Sequence, residues 1–289
     1  MRNMKQFTRR RFLGLLAPAA LPVLCRPASA VGQAAVPVRV LFIGNSYTYV
    51  NELPKLFQAV INSSGLYLPV VGQLAEGGFH LSQHVDADKT RAILNRGAPD
   101  GQPWDVVVLQ EQSVTPSTAT AVEAVKAEIR DSAQRLASLV WAVHPQALIV
   151  LFQTWARHAD FWKSGKALVQ EVGIDSADMQ LRTHRSIADV AKVVVERGTP
   201  GNARVIVSPV GDFWQESLKA NPGLRLHDAD GSHPSPAGSM LAASVLMASI
   251  GGRAALEKAH WNGPISKADA AAIRQLVLDH PELFSQAAQ

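Results

Sequence analysis

The sequence of 289 residues contains 28 lysines and arginines against 24 aspartates and glutamates, and 47% of its residues are hydrophobic. Residues 1–30 hold six of the basic residues and none of the acidic ones, so residues 31–289 have no basic excess that would favour nucleic-acid binding. Cys25 is the only cysteine, which excludes an intramolecular disulfide and requires a hydrophobic core to stabilise the fold. This length and apolar content suit one sizeable domain over residues 31–289.

The first 30 residues have the features of an export signal. Arginines at positions 9–11 resemble a twin-arginine motif, an apolar stretch runs to Leu24, and residues 28–30 (Ala-Ser-Ala) have the small-x-small pattern of a cleavage site. The apolar stretch is shorter than the roughly 20 residues of a membrane-spanning helix, although an uncleaved anchor is the alternative. We therefore expect cleavage near Ala30 and a periplasmic or secreted protein without a stable membrane anchor.

Five short apolar runs alternate with longer helical patterns, which is typical of a parallel sheet covered by helices on both faces. The runs predict strands over residues 38–43, 68–74, 105–110, 147–152 and 203–208. Apolar residues at helical spacing predict helices over 53–61, 122–143, 187–195, 236–250 and 266–279. The expected fold is a three-layer α/β/α sandwich around a five-stranded, mostly parallel, flavodoxin-like sheet. Residues 155–178 fit neither period, and we expect a lid or insertion there.

A serine directly follows the first predicted strand, in the sequence Gly44-Asn45-Ser46. Ligands of an open α/β sheet bind beyond the carboxyl ends of the strands, so this is a suitable position for a nucleophile, although a serine here is also a common turn or cap residue. A nucleophilic serine needs an imidazole to accept its proton and a carboxylate to orient the imidazole. Asp230 and His233 supply both groups in a short loop before the helix predicted at 236–250.

These blocks, in this order, resemble those of the SGNH (GDSL-type) hydrolases over nearly the whole of residues 31–289. Ser46 matches the nucleophile of the family's first block, in which Asn45 stands where an aspartate is usual. Asp230, His233 and Pro234 match the last block. The resemblance implies a serine hydrolase with a Ser46–His233–Asp230 triad, no organic cofactor and no metal. The α/β-hydrolase fold is disfavoured, because it needs a Gly-x-Ser-x-Gly elbow that this sequence lacks.

The resemblance also implies an oxyanion hole made by three donors. The Ser46 N–H is the first, and the second is a glycine N–H after the second strand, for which we favour Gly78 over Gly77. The third is a side-chain amide after the third strand, where Gln112 aligns with the family's asparagine and Gln110 is the alternative. One such donor typically stabilises the transition state by roughly 3 kcal/mol.

Other polar residues allow different interpretations. Four neighbouring side chains are common metal ligands: His227, Asp228, Asp230 and His233. They lack a further ligand pattern, so we favour the triad over a metal site. His80 and His84 are four residues apart, and we expect a solvated helix surface there rather than a zinc site. Gly211 and Asp212 follow the fifth strand and either form a polar wall of the pocket or cap a helix over 213–220.

The expected reaction is hydrolysis of an ester through an acyl-serine intermediate, with His233 acting first as base and then as acid. Candidates for substrate contact are Asn45, Gln110, Trp155 and Trp214. Flat aromatic faces beside polar groups suit sugar rings, so we favour a carbohydrate O-acetyl ester, or another small-molecule or glycan ester. A lipase or thioesterase for longer acyl chains, and a non-catalytic glycan-binding protein on the same fold, are the alternatives.

Overall fold

A computed structural model describes residues 35–164, 169–198, 201 and 204–286, so the predicted export signal and its cleavage site lie outside the described residues. Five strands pair in the order β2-β1-β3-β4-β5, and every pair is parallel. The strands are β1 (Val36–Gly44), β2 (Tyr67–Ala75), β3 (Val106–Leu109), β4 (Leu148–Phe152) and β5 (Arg204–Ser208). The expected five-stranded flavodoxin-like sheet is confirmed.

Helices occupy the connections and the C-terminal part of the chain. They are α1 (Ser46–Tyr49), α2 (Leu53–Ser63), α3 (Leu81–Asp86), α4 (Asp88–Arg96), α5 (Thr115–Thr118), α6 (Glu123–Val143), α7 (Val169–Val172), α8 (Ser176–Glu196), α9 (Val210–Ala220), α10 (Pro236–Gly251), α11 (Arg253–Lys258), α12 (Lys267–Asp279) and α13 (Glu282–Gln286). Short 3-10 helices cover Val50–Glu52 and Ala159–Ser164. No helix within the described residues is long and apolar enough to cross a membrane.

The sheet is apolar on both faces, because side chains alternate along each strand and helices cover both sides. In β1, Val40 and Phe42 belong to one core, which also contains side chains of α2, α9, α10 and α12. Leu41 and Ile43 belong to the other, which contains side chains of α3, α4, α6 and α8. This arrangement explains why the strands appear in the sequence as continuous apolar runs.

The strand order creates a crevice at the carboxyl ends of the central strands β1 and β3. The chain leaves β1 toward β2 on one side and returns to β3 on the other, so the connections diverge beyond the carboxyl ends of β1 and β3. In such sheets this switch point is where ligands bind. The residues that follow β1 and β3, which include Ser46 and Gln112, therefore lie beside the same crevice.

The segment 155–178 contains only short helical pieces and the start of α8 in its described part, and the expected lid or insertion stays a prediction. It leaves the carboxyl end of β4, forms the 3-10 helix Ala159–Ser164, and then continues into α7 and α8; residues 165–168 are outside the description. Helix α8 starts at Ser176, eleven residues before the helix predicted from residue 187. Polar Gln180 and Thr183 are buried in its first half and interrupt the apolar period there.

Candidate active site

Ser46 is held at the end of β1 by the residue before it. The Asn45 side chain accepts a hydrogen bond from the Tyr47 N–H and donates one to the carbonyl of Phe79, at 3.1 and 2.8 Å. The Asn45 N–H donates to Gln110 Oε1 at 2.9 Å. Asn45 therefore caps α1 and links the Ser46 turn to the loop after β2, which explains why an amide serves at this position.

The structure brings the three predicted triad residues into one hydrogen-bonded chain. Ser46 Oγ lies 2.9 Å from His233 Nε2, and His233 Nδ1 lies 2.5 Å from Asp230 Oδ2. With the ring proton on Nδ1 donated to the carboxylate, Nε2 accepts from the serine hydroxyl. The other carboxylate oxygen, Oδ1, accepts from the N–H groups of Ser232 and His233 at 2.8 and 2.9 Å.

These bonds keep Asp230 ionised. Partial burial raises the pKa of the carboxyl, but the hydrogen bonds from the His233 ring and from the N–H groups of Ser232 and His233 outweigh it and lower the pKa to about 2. Asp230 is therefore a permanent anion at neutral pH, so it stabilises the imidazolium that forms when His233 takes up a proton.

The loop that carries Asp230 and His233 is fixed by neighbouring elements. The Trp155 Nε1–H donates to the carbonyl of Ser232 at 3.0 Å, and the hydroxyls of Tyr47 and Ser232 are 2.9 Å apart. The Asp228 N–H donates to the carbonyl of His233 at 2.8 Å, which closes the loop on itself. The end of β4 and the helix that starts at Ser46 therefore both set the position of the imidazole.

Trp155 and Trp214 do not contact the pocket, which corrects the expectation that they bind substrate. Both side chains are fully buried, and they stack with ring centroids 4.2 Å apart. Tyr47 covers the other face of Trp155 at 4.5 Å. The rings of the two tryptophans stack on each other and on Tyr47, so they offer no free face to a sugar. Trp155 instead stabilises the loop that carries Asp230 and His233.

Ser46 opens into a pocket of about 420 Å³. The residues that line it are mostly polar in type: Asn45, Ser46, Tyr47, Gly78, Gln112, Ser113, Arg157, Asp230, Ser232 and His233. Gly78, in the loop after β2, has a φ of +72°, which favours glycine. The N–H groups of Ser46 and Gly78 have no acceptor among the described residues, so both are available to an oxyanion.

Gln112 and Gln110 have different surroundings, which distinguishes the two alternatives for the amide donor. Gln112 lines the pocket, and its Oε1 accepts from the Val114 N–H at 2.9 Å, which orients the amide. Gln110 is fully buried, and its Oε1 accepts from the Asn45 N–H and from the Thr48 hydroxyl, both at 2.9 Å. Gln110 therefore stabilises the turn that carries Ser46. It does not contact the pocket, contrary to the expectation that it binds substrate.

Arg157 and Ser113 line the pocket but were not among the residues singled out for catalysis or binding. Arg157 follows β4, and its Nη2 donates to Ser113 Oγ at 2.9 Å. Ser113 is the last residue of the stretch 110–113 that aligns with the family's third block, but no role was expected for it. Arg157 belongs to no motif of the resemblance, and its only sequence signal is its position after the carboxyl end of β4.

The remaining histidines have structural partners. His84 is buried, not solvated as expected; its Nε2 lies 2.8 Å from the Gly44 carbonyl, and burial lowers its pKa. His80 is partly exposed, and its hydrogen bond to Glu111 raises its pKa. His227 Nε2 lies 2.9 Å from the Ala156 carbonyl, and Asp228 pairs with Arg225. Within the described residues, no group of three or more His, Cys, Asp or Glu side chains is arranged to hold a metal ion.

Asp212 belongs to a separate polar cluster and does not line the Ser46 pocket, and α9 begins at Val210 rather than after Asp212. The Asp212 carboxylate accepts from the side chains of Gln153, Gln180 and His184 at 3.1, 3.1 and 2.8 Å. The cluster joins the end of β4 to α8 and α9. Neither expected role, a pocket wall or a cap for a helix over 213–220, matches this arrangement.

This sheet, with the serine after β1 and the Asp-x-x-His loop before α10, defines the class: the chain has the fold of the SGNH (GDSL-type) hydrolases. It is similar to an SGNH hydrolase candidate from Slackia heliotrinireducens, with 28% identity, a TM-score of 0.54, and 74% of this chain and 98% of that chain covered. A DUF4886 family protein from Bacteroides uniformis is 17% identical, with a TM-score of 0.59 over 84% of this chain and 94% of its own.

A GDSL-like lipase candidate from Parabacteroides merdae has the same fold at 13% identity, with a TM-score of 0.52 over 76% of this chain and 98% of that one. No family model and no curated protein matches the sequence. The resemblance of the ordered blocks to the SGNH hydrolases is thus confirmed at the level of fold.

Proposed function

We propose that the protein is a serine esterase that hydrolyses its substrate through an acyl-Ser46 intermediate. The observation that carries the proposal is the chain of hydrogen bonds from Ser46 through His233 to Asp230, placed at the switch point of the sheet. Two unpartnered N–H groups, of Ser46 and Gly78, lie at the same pocket. A nucleophile, a base with its orienting carboxylate, and oxyanion donors together are the requirements of acyl transfer.

In the acylation half of the proposed reaction, Ser46 Oγ attacks the ester carbonyl carbon while His233 Nε2 takes the hydroxyl proton. The carbonyl oxygen becomes an oxyanion and receives the N–H groups of Ser46 and Gly78 and the Gln112 amide. The tetrahedral intermediate then collapses, the C–O bond to the alcohol breaks, and His233 returns the proton to the leaving alkoxide. In deacylation, a water molecule repeats the attack with the same base and releases the acid.

The lining of the pocket favours a short acyl group and a polar substrate. None of its ten described residues has an aliphatic side chain, and the phenol ring of Tyr47 is buried with its hydroxyl bonded to Ser232. A long acyl chain needs an apolar groove, because each buried methylene gains about 0.8 kcal/mol. We therefore favour an O-acetyl ester of a carbohydrate over a lipase or thioesterase substrate.

The decisive experiment is covalent labelling of Ser46 with a fluorophosphonate, located by mass spectrometry of peptides, together with hydrolysis of p-nitrophenyl acetate. We expect labelling and turnover in the wild type and neither in Ser46→Ala. Ser113→Ala, which removes another hydroxyl from the same pocket, is the matched control and should still be labelled. Glycan binding without labelling would indicate a non-catalytic module, and turnover that EDTA abolishes would indicate a metal enzyme.

Acyl-chain length separates the esterase from the lipase alternative. With p-nitrophenyl esters from acetate to octanoate, kcat/KM should fall steeply after the first one or two carbons, because the polar pocket offers nothing to the added methylenes. A value that rises with chain length would contradict the short-acyl assignment while leaving the triad intact.

We further propose that residues 1–30 direct export and are removed near Ala30. The first described strand starts at Val36, so cleavage there leaves the whole described sheet intact. Expression in a bacterium with a twin-arginine pathway, followed by intact-mass analysis of the periplasmic and secreted fractions, tests this. The expected product starts near Val31; a mutant with lysines at positions 9–11 should stay uncleaved in the cytoplasm.

A further inference from the structure

The pocket at Ser46 contains a cation that no carboxylate in the described part of the chain neutralises. Arg157 lines the pocket, and its Nη2 donates to the neutral hydroxyl of Ser113. Its Nε is buried without a partner, and none of the ion pairs among the described residues includes Arg157. Arg157 as a whole is half-buried, but a buried N–H of a charged group without an acceptor is costly, so this arginine suggests that an anion from outside the chain completes the site.

The acidic side chains that line the Ser46 pocket, or a neighbouring cleft that Arg157 also lines, have other partners, as does the buried Glu111 next to Gln112. Asp230 also lines the pocket, but its carboxylate is held by His233 and by two backbone N–H groups. Glu111 is buried and accepts from the N–H groups of Leu81 and Gln112. Asp160, on the other side, pairs with Lys163. Asp228 pairs with Arg225. Each of these carboxylates therefore has its own partner, whereas Arg157 pairs with no carboxylate in the described part of the chain.

The guanidinium is also held in place before any ligand arrives. Ser113 fixes one end, and the ring of Phe161 lies under the guanidinium carbon at 5.9 Å from its centroid. Arginine presents planar N–H pairs that match the two oxygens of a carboxylate, and a fixed arginine loses little conformational entropy on binding. An adjoining cleft of about 520 Å³ shares Arg157 with the Ser46 pocket and offers space for the remainder of a polar substrate.

We propose that Arg157 selects esters that carry a carboxylate near the scissile bond. This inference rests on the proposed esterase function of the same pocket and specifies the substrate class: an ester of an acidic molecule, such as an acidic sugar unit, in preference to its neutral counterpart. The carboxylate belongs either to the alcohol part or to the acyl part of the ester, and the two arms of the test distinguish them.

The test compares each carboxylate ester with its neutral amide. For the alcohol part, the pair is meta-acetoxybenzoate and meta-acetoxybenzamide; for the acyl part, it is mono-p-nitrophenyl adipate and its terminal amide. In the wild type, kcat/KM should favour the carboxylate by about tenfold or more in one pair, which corresponds to one charge-assisted hydrogen bond. Arg157→Gln should reduce this ratio to about one, and Arg157→Lys should retain part of it, because the charge remains without the fork geometry.

Arg182→Gln is the matched control, since Arg182 is also partly buried but lies on α8, pairs with Asp178 and does not line the pocket. Its carboxylate-to-amide ratio should equal that of the wild type. High salt should weaken the wild-type preference because it screens the charge. If Arg157→Gln does not fold, the salt dependence of the wild-type carboxylate-to-amide ratio tests the proposal instead.

Failure of this inference is distinguishable from failure of the proposed function. If Ser46 is labelled and neutral esters are hydrolysed, but both wild-type ratios stay within twofold of one, Arg157 does not select an anion. If no ester is hydrolysed, calorimetric titration with meta-hydroxybenzoate and meta-hydroxybenzamide gives an answer without turnover. Binding of the carboxylate alone, lost in Arg157→Gln, supports the anion site; equal binding of both compounds, or binding of neither, overturns it.

Discussion

His227 lies beneath the loop that carries Asp230 and His233, and it links that loop to the end of β4. It is 4% exposed, and its Nε2–H donates to the carbonyl of Ala156 at 2.9 Å. Burial, with smaller contributions from the nearby His158 and Arg157, lowers the pKa of the imidazole to about 4, although the hydrogen bond to the Ala156 carbonyl opposes the shift. The ring is therefore neutral in the folded protein at every pH at which the enzyme is expected to work.

This pKa has a consequence for stability. Between about pH 6.5 and pH 4 the unfolded chain binds a proton at His227 and the folded chain does not, so the free energy of unfolding falls as the pH is lowered. The full shift corresponds to about 3 kcal/mol. We expect His227→Gln, which keeps an N–H donor, to lose less stability than the wild type between pH 7 and pH 4.5 in urea denaturation; parallel losses in both proteins would contradict this.

The two stacked tryptophans offer a comparison between a hydrogen-bonded and an unpartnered indole. Trp155 Nε1–H donates to the carbonyl of Ser232, whereas the buried Nε1 of Trp214 has no partner. Trp155→Phe should therefore leave the Ser232 carbonyl unsatisfied and lower the free energy of unfolding by about 1 kcal/mol more than Trp214→Phe.

The same pair separates a positioning role from a purely structural one. Because the Ser232 carbonyl belongs to the catalytic loop, Trp155→Phe should lower kcat for p-nitrophenyl acetate with little change in KM, while Trp214→Phe should leave both near the wild-type values. Equal kcat values in the two variants would show that the indole hydrogen bond does not set the position of His233.

At the scale of elements, the start of α9 packs unusually close to the end of β4. The Gly211 N–H donates to the carbonyl of Gln153 at 3.0 Å, and a Cβ built on Gly211 would lie 2.1 Å from the carbonyl oxygen of Thr154. Only a glycine permits this approach, because the Thr154 carbonyl belongs to the backbone and the Gln180 amide, 2.3 Å from such a Cβ, is held by Asp212. The contact fixes the segment that continues to Trp155 and Arg157.

Gly211→Ala should consequently lower the free energy of unfolding by about 2 kcal/mol, within the usual range for overpacking. Gly223 is a suitable control, since a Cβ there meets nothing within 4 Å and its φ is not positive. Thermal and urea unfolding of the two alanine variants check the difference. Similar midpoints would mean that α9 shifts freely away from β4.

At the scale of the whole molecule, helix α10 connects the catalytic loop to one of the two cores. Twelve of its sixteen residues are buried, which is typical of a helix surrounded by other elements. Leu246→Ala, at a fully buried position, should lower the free energy of unfolding by about 2–5 kcal/mol. Leu68→Ala, at a position 54% exposed in β2, should lower it by less than about 1 kcal/mol. Comparable losses would contradict the assigned burial of α10.

Sequence patterns predicted most of the fold because the sheet is buried on both sides. All five predicted strands overlap the observed ones, since continuous apolar runs bounded by polar residues have few other interpretations. The first half of α8 was missed for a physical reason: buried Gln180 binds Asp212 and replaces apolar contacts with polar ones. Short helices such as α3 and α4 were missed because they lie in connections without a clear period.

The triad residues of the candidate site could be predicted from the order of the motifs along the chain. Ser46, Asp230 and His233 meet as the ordered blocks imply, because a parallel sheet directs its carboxyl ends to one edge. The tryptophans could not be placed, since composition does not tell an aromatic surface from an aromatic core. Arg157 was missed because the surroundings of a single cation become visible only once its neighbours are known.

Ser46 and His233 are 187 positions apart, and this separation matters before the molecule is complete. During translation Ser46 is added long before His233. The growing chain therefore lacks the base of the triad for most of its synthesis. On the proposed mechanism, a chain that ends before His233 has no base for Ser46 and cannot hydrolyse an ester.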